Sequence, residues 1–215
     1  MENFSSSFSF QHHFRFINSF QLQFPVFMNL PYAGTINLNE ITFGLCGGMC
    51  FAALDYFHAN QFPPPFQTPQ EVDPRLFGFL CDRQLDSLKI FTVLKFMEWM
   101  IIDETQIITR IKRYELPKLR RLLQKGEPAV LGLVRVRGMQ SPTQNHQVLA
   151  IGYEFDPAIE QISIHLYDPN HPQLNPNIQF FTGKNAPPPV LTQSTGEPLF
   201  GFFVIPYRFQ QPPQT

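Results

Sequence analysis

A chain of 215 residues, 43% hydrophobic and 15% charged with a net charge of −1, carries enough apolar material for one buried core and is excluded from the disordered class. That charge excludes a general attraction to nucleic acid or to an anionic membrane surface. Three cysteines are too few, and odd in number, for a disulfide framework, which suits a reducing compartment.

The opening residues Met1 to Ser7 lack both a basic n-region and a continuous apolar h-region, so no secretory signal is expected. No apolar run approaches the roughly 18 residues that span a bilayer. A cytoplasmic protein with no membrane span is the expectation, and the first and last few residues are expected to be disordered. Over residues 1–42, Phe8, Phe10, Phe14, Phe16, Phe20 and Phe24 recur among Ser, Gln, His and Asn. This is read as an extended arm whose rings pack on the body.

A helix is expected from Cys46 to His58, with Met49, Cys50, Ala53, Leu54 and Phe57 on one apolar stripe. Gly44, Gly47 and Gly48 are poor helix formers, and their presence implies a close approach to the backbone. After a proline-rich loop, Asp73-Pro74 reads as an N-cap with proline in the first turn. The spacing predicts helix over 74–102, broken near Cys81–Asp82, and a shorter helix from Pro117 to Lys125 that ends at Gly126.

Beyond residue 126 the pattern turns β-rich. Strands are expected at 129–136, 148–153, 161–167, 177–182 and 200–207. Helices first and strands afterwards predict an α+β fold with an antiparallel sheet. One domain covers 1–215, with a mainly helical lobe over about 1–126 and a mainly β lobe over about 127–215.

Cys46 stands at a helix N-terminus, where partial positive charge and free N–H groups favour a thiolate and can also hold an oxyanion. Cys50, one turn on, reads as a small core residue. A cysteine nucleophile needs a base, and the base needs an orienting acceptor. His146 opens a strand after a polar loop, with His171 as its rival, and Asp168 ends the next strand. Adjacent antiparallel strands would set His146 and Asp168 together at one sheet end, giving a Cys–His–Asp set in chain order. The basic run from Arg110 to Lys125 reads as a solvated helix face. Cys46, Cys50 and Cys81 lack a second paired motif, so no metal site and no cofactor is expected.

The segment Cys46-Gly-Gly-Met-Cys50-Phe-Ala-Ala resembles the Cys-Gly-x-x-Cys-x-Ala segment of the bacteriocin-processing leader peptidases, within the papain-like cysteine peptidase superfamily. His146 with the following Gln-Val-Leu-Ala-Ile-Gly-Tyr, Asp168-Pro169, and the stretch from Leu119 to Leu133 resemble that family's later blocks, so the likeness covers about 44–170. The resemblance implies a papain-like fold and a cysteine-dependent hydrolase acting on a peptide or amide bond of a peptide or protein substrate. Cys46 would be the nucleophile, His146 the base and Asp168 its orienter. Gly47 and Gly48 match the leader-peptidase pattern and are expected to leave room for substrate backbone, which favours Cys46. Cys50, followed by Phe51, is the alternative nucleophile in the register of the papain branch.

One position departs from the family. A Gln is expected about six residues before the nucleophile as oxyanion donor, but Glu40 stands six before Cys46 and Gly44 six before Cys50. Asn18, Asn39, Gly47 and Asn170 are the candidate oxyanion or auxiliary groups, with Asn37, Gln21 and Gln23 as further amides of the arm. An inactive papain-like binding module and a thiol acyltransferase or transglutaminase-like enzyme are the alternative readings.

Overall fold

In chain order the computed structural model runs β1 (Glu2–Ser5), β2 (Phe27–Leu30), β3 (Gly34–Asn37), α1 (Cys46–His58), α2 (Pro74–Ser87), α3 (Ile90–Ile101), α4 (Glu104–Arg110), α5 (Leu116–Leu123), β4 (Ala129–Val134), β5 (His146–Asp156), β6 (Gln161–Tyr167), β7 (Asn177–Phe181), β8 (Leu191–Gln193) and β9 (Gly201–Val204). It describes residues 2–20, 27–30, 34–37, 44–183 and 191–214, with β2 and β3 described through their backbone. The fold is α+β. Seven strands form an antiparallel sheet ordered β8-β7-β6-β5-β4-β9, with β1 also on β5, while β2 and β3 pair with each other.

The length of β5 decides the sheet. Its first half pairs with β4, from Leu133 opposite His146 to Ala129 opposite Ala150. Its second half pairs on the same flank with β1, from Ser5 opposite Gly152 to Glu2 opposite Phe155. The register against β6 slips between Ala150 and Gly152, leaving Ile151 as the extra residue of a bulge. The carbonyl of Ile151 accepts from Ser6 N at 2.9 Å and from Ser6 Oγ at 3.0 Å, which pins the start of the arm there. Residues 2–5, expected to be disordered, are therefore a sheet strand.

Helix α1 lies under this sheet and is buried on every side from Gly47 to Tyr56, not along one stripe as its spacing suggested. The close approach implied by its glycines comes from α2. A Cβ on Gly48 would lie 2.2 Å from the Leu80 carbonyl oxygen, and one on Gly47 would lie 2.1 Å from Ser87 Oγ and 2.7 Å from Gln147 Nε2. Their missing side chains admit a neighbouring helix and Gln147, which corrects the expectation that they leave room for substrate.

Asp73 caps α2 as expected, accepting from Arg75 N and Leu76 N. The helix runs unbroken through Cys81–Asp82, and the interruption falls instead at Leu88–Lys89, where the backbone of Lys89 turns extended. Nothing at 81–82 forces a break, since neither residue is glycine or proline. Helical continuity carries Arg83 to the buried Asp55 of α1, Nε to Oδ2 2.7 Å. Helix α4, capped by Asp103, and the π-turn Ile111–Glu115 that follows it were not legible in the pattern.

The arm packs as expected at Phe14 and Phe16, fully buried, and at Phe8 and Phe20, nearly so, but Phe10 is exposed rather than packed on the body. Each such ring contributes roughly 1.5–3 kcal/mol of transfer free energy. Phe24 lies outside the described residues. At the other end, residues 205–214 form a strap. Arg83 Nη2 donates to the Arg208 carbonyl at 2.8 Å, and Tyr56 Oη donates to that of Pro213 at 3.2 Å. Among the described residues, no helix is long and apolar enough to cross a membrane.

Candidate active site

Two strand ends and one helix start converge at a single edge of the sheet. His146 is the first residue of β5, Asp168 follows the last residue of β6, and Cys46 is the first residue of α1. Because Leu149 stands opposite Tyr167, the antiparallel ladder puts the start of β5 beside the end of β6. His146 Nε2 lies 2.6 Å from Asp168 Oδ1. With the carboxylate as acceptor, Nε2 carries the proton and Nδ1 is left to face the thiol.

Burial alone would push the Cys46 thiol up. The charge of His146, a hydrogen-bonding contact with its ring and a backbone hydrogen bond with Gln147 outweigh that and hold the thiol below its ordinary value. Burial opposes charge on His146 too, but Asp168 and then Cys46 raise it to about 9. Each partner thus favours the ionised form of the other. Asp168 is fully buried, and His146, the Asn170 N–H at 2.8 Å and Arg135 hold its carboxyl low against the effect of burial.

Cys50 contrasts with its neighbour. It is fully buried, its Sγ donates to the Gln147 carbonyl at 3.5 Å, and burial pushes it well above the ordinary thiol range. Cys46 is half-buried and lines a cleft of about 370 Å³ that His146 also lines. The opposite wall is apolar, made by Leu88, Val93, Phe96 and Met97 at the α2–α3 junction and along α3.

Asn18 reaches the site from the arm. Its Oδ1 accepts from Leu45 N at 2.6 Å, its Nδ2 donates to Asn170 Oδ1 at 3.0 Å, and its own N–H donates to the Pro169 carbonyl at 3.0 Å. One carboxamide therefore ties the turn before Cys46 to the turn after Asp168. Gly44 must lack a side chain for this, since a Cβ there would lie 2.5 Å from Asn18 Nδ2.

Asn170 stands beside Asn18 in the cleft lining, whereas the Cα of Gly47 faces Ser87 and Gln147. Among the described residues, no acceptor meets the N–H of Cys46 or of Gly47. Asn39, Gln21 and Gln23 lie outside the described residues, as does the side chain of Asn37. His171, the rival histidine, turns away and places Nε2 2.9 Å from Glu197 Oε1.

Two residues of the site escaped the sequence. Gln84 lines the cleft and accepts from Gly48 N at 2.7 Å, and no local pattern marks it. Arg135 stands one residue past β4, two beyond the Leu133 that lies opposite His146, and its Nη2 lies 3.7 Å from Asp168 Oδ2. A basic residue closing a buried strand was the available signal. Among the described residues, no group of three or more His, Cys, Asp or Glu side chains could hold a metal ion. A scan against protein-family models and searches of curated proteins and of solved structures find no match to this chain.

Proposed function

We propose that this chain is a cysteine-dependent hydrolase of papain-like architecture that acts on a peptide or amide bond. The observation that carries the reading is the linked set Cys46, His146 and Asp168, with a 2.6 Å His146–Asp168 bond and a lowered Cys46 thiol at the mouth of a cleft.

In this reading the Cys46 thiolate attacks the carbonyl carbon. A C–S bond forms and the carbonyl π pair moves onto oxygen. The N–H groups that open α1 and the Asn18 carboxamide receive that oxyanion, with Asn18 in the role of the missing upstream Gln. As the C–N bond breaks, the His146 imidazolium gives its proton to the leaving amine. Neutral His146 then takes a proton from water, whose oxygen attacks the acyl-enzyme and releases Cys46. Asp168 keeps Nε2 protonated and the ring aimed at sulfur throughout. The pairing of Cys46 with His146 favours this reading over a binding module that lacks catalysis, and burial of Cys50 favours Cys46 over it as nucleophile.

A peptide library incubated with the purified chain and read by mass spectrometry tests the assignment. Cleavage that is lost in Cys46→Ala and kept in Cys50→Ala is the expected result. Cleavage that survives Cys46→Ala contradicts it.

A further inference from the structure

We propose that Arg135 is a positioning residue for the reaction: it holds the outer oxygen of Asp168 and thereby fixes the carboxylate plane and the charge balance of the Cys46–His146 pair. The inference rests on the reading of Cys46 as nucleophile.

The carboxylate of Asp168 has two oxygens in unequal settings. Oδ1 serves both His146 Nε2, at 2.6 Å, and Asn170 N, at 2.8 Å. Oδ2 is buried and has no hydrogen-bond partner among the described residues. An ionised oxygen buried without a partner is costly, and a cation close by offsets that cost. Arg135 supplies one, with Nη2 3.7 Å from Oδ2 and a side chain only 10% exposed. A carboxylate pulled on its outer oxygen resists rotation about its Cβ–Cγ bond, so Oδ1 stays on the imidazole.

The guanidinium is itself fixed from several elements. Nη2 donates to Gln193 Oε1 of β8 at 3.1 Å, and it lies 3.7 Å from Glu197 Oε1 in the turn beyond. His171 Nε2, from the turn after Asp168, meets the same Glu197 oxygen at 2.9 Å. The backbone N–H of Arg135 donates to Asn145 Oδ1 at 3.0 Å, which joins the end of β4 to the residue before His146. The charged and titratable groups around Arg135 are thus Asp168, Glu197, His171, His146 and Cys46.

Arg135 also lines the cleft, so a role in binding a substrate carboxylate is the competing assignment. Charge balance decides against it. Asp168 and Glu197 already face the one guanidinium, so a third anion beside it would meet two carboxylates that already share its charge.

The test is the pH dependence of Cys46 alkylation by iodoacetamide, resolved by mass spectrometry. This small reagent makes no use of a substrate subsite. Removing the cation withdraws support from the thiolate, both directly and by loosening Asp168 from His146. Arg135→Gln is therefore expected to move the acid limb of the Cys46 profile up by roughly 0.5–1 pH unit, and Arg135→Lys is expected to recover most of that shift.

Glu197→Gln, at a half-exposed side chain, provides a second variant of opposite sign. It removes the competitor for Nη2 and is expected to move the limb down. An Arg135→Gln limb that stays in place while thermal stability falls would mean a merely structural residue. A Glu197→Gln limb that is unmoved or moves up overturns the proposal even if Arg135→Gln does not fold. An ordinary thiol profile in the unaltered chain would instead fault the nucleophile reading itself.

Discussion

Nε2–H of His146 donates to Asp168 Oδ1 at 2.6 Å, from the first residue of β5 to the residue just past β6. The bond fixes which imidazole nitrogen faces Cys46, so its chemistry follows from a tautomer. Asp168→Asn keeps the side-chain shape but presents an amide that can donate to Nε2 and turn the tautomer over. Turnover of a cleaved peptide is expected to fall about 100- to 10,000-fold with little change in KM. Steady-state kinetics beside a thermal melt check this, and a change confined to KM would count against the assignment.

The raised His146 also has a signature in stability. The His146 pKa rises to about 9 on folding, so its contribution is fully present below the unfolded value near 6.5 and is lost as pH rises through 9. In the unaltered chain this is partly offset, because folding favours loss of a proton from Cys46 while His146 gains one. Cys46→Ala removes the compensating proton. Asp168 raises His146 more than Cys46 does, so the variant keeps much of the shift. Its unfolding free energy is expected to decline by ~1–2 kcal/mol between pH 6.5 and 9. The unaltered chain should decline less over that range. Urea titrations at several pH values measure both, and a level Cys46→Ala curve would contradict the pairing.

Gly44 and Gly48 test two different close approaches. At Gly48 an added Cβ meets a backbone atom, the Leu80 oxygen at 2.2 Å, which cannot swing aside. Gly48→Ala is expected to destabilise the fold by about 3 kcal/mol or more in chemical denaturation. At Gly44 the obstacle is the Asn18 carboxamide at 2.5 Å. Gly44→Ala therefore displaces Asn18 at smaller cost to stability, and turnover should fall toward that of Asn18→Ala, roughly 100-fold or more below the unaltered chain. Full turnover in Asn18→Ala would remove it from the oxyanion site.

Asp55 is fully buried in α1 and is met by Arg83 Nε at 2.7 Å, Tyr207 Oη at 2.7 Å and Gln210 N at 2.8 Å. Burial pushes its carboxyl up despite these partners, and Arg83 is equally enclosed. Asp55→Ala leaves that guanidinium buried without its main counter-charge and is expected to cost about 3–5 kcal/mol. The same variant frees the C-terminal strap, so hydrogen exchange of residues 207–211 should quicken. An unchanged melt would show that the strap is held elsewhere.

The sequence disclosed those parts of the site that lie where elements begin or end. Cys46 follows a glycine turn, His146 follows a polar loop and Asp168 precedes a proline, so each could be located without knowing the packing. Arg135 was hidden because 129–136 reads as one continuous strand, whereas β4 stops at Val134 and gives the next side chain to the sheet end. Strand β1 has no β-branched residue in Glu2-Asn3-Phe4-Ser5, and the free flank of β5 makes it a strand. Asp55 and Arg83 looked like ordinary polar positions of two helices, and only the glycine-mediated approach of α2 to α1 makes them a buried pair. Asn18 was one of several amides in the arm, and its contact with Leu45 N depends on how that arm folds back.

The central claim is that Cys46 is an activated thiol because His146 stands beside it. Site-resolved alkylation by iodoacetamide across pH 4–10, in the unaltered chain and in His146→Ala, measures this directly. The account predicts modification of Cys46 with an acid limb well below the ordinary thiol value near 8.5, little modification of Cys50, and return of the limb toward that ordinary value in His146→Ala. A Cys46 limb that lies near 8.5 in both proteins, or label that falls on Cys50, would contradict it.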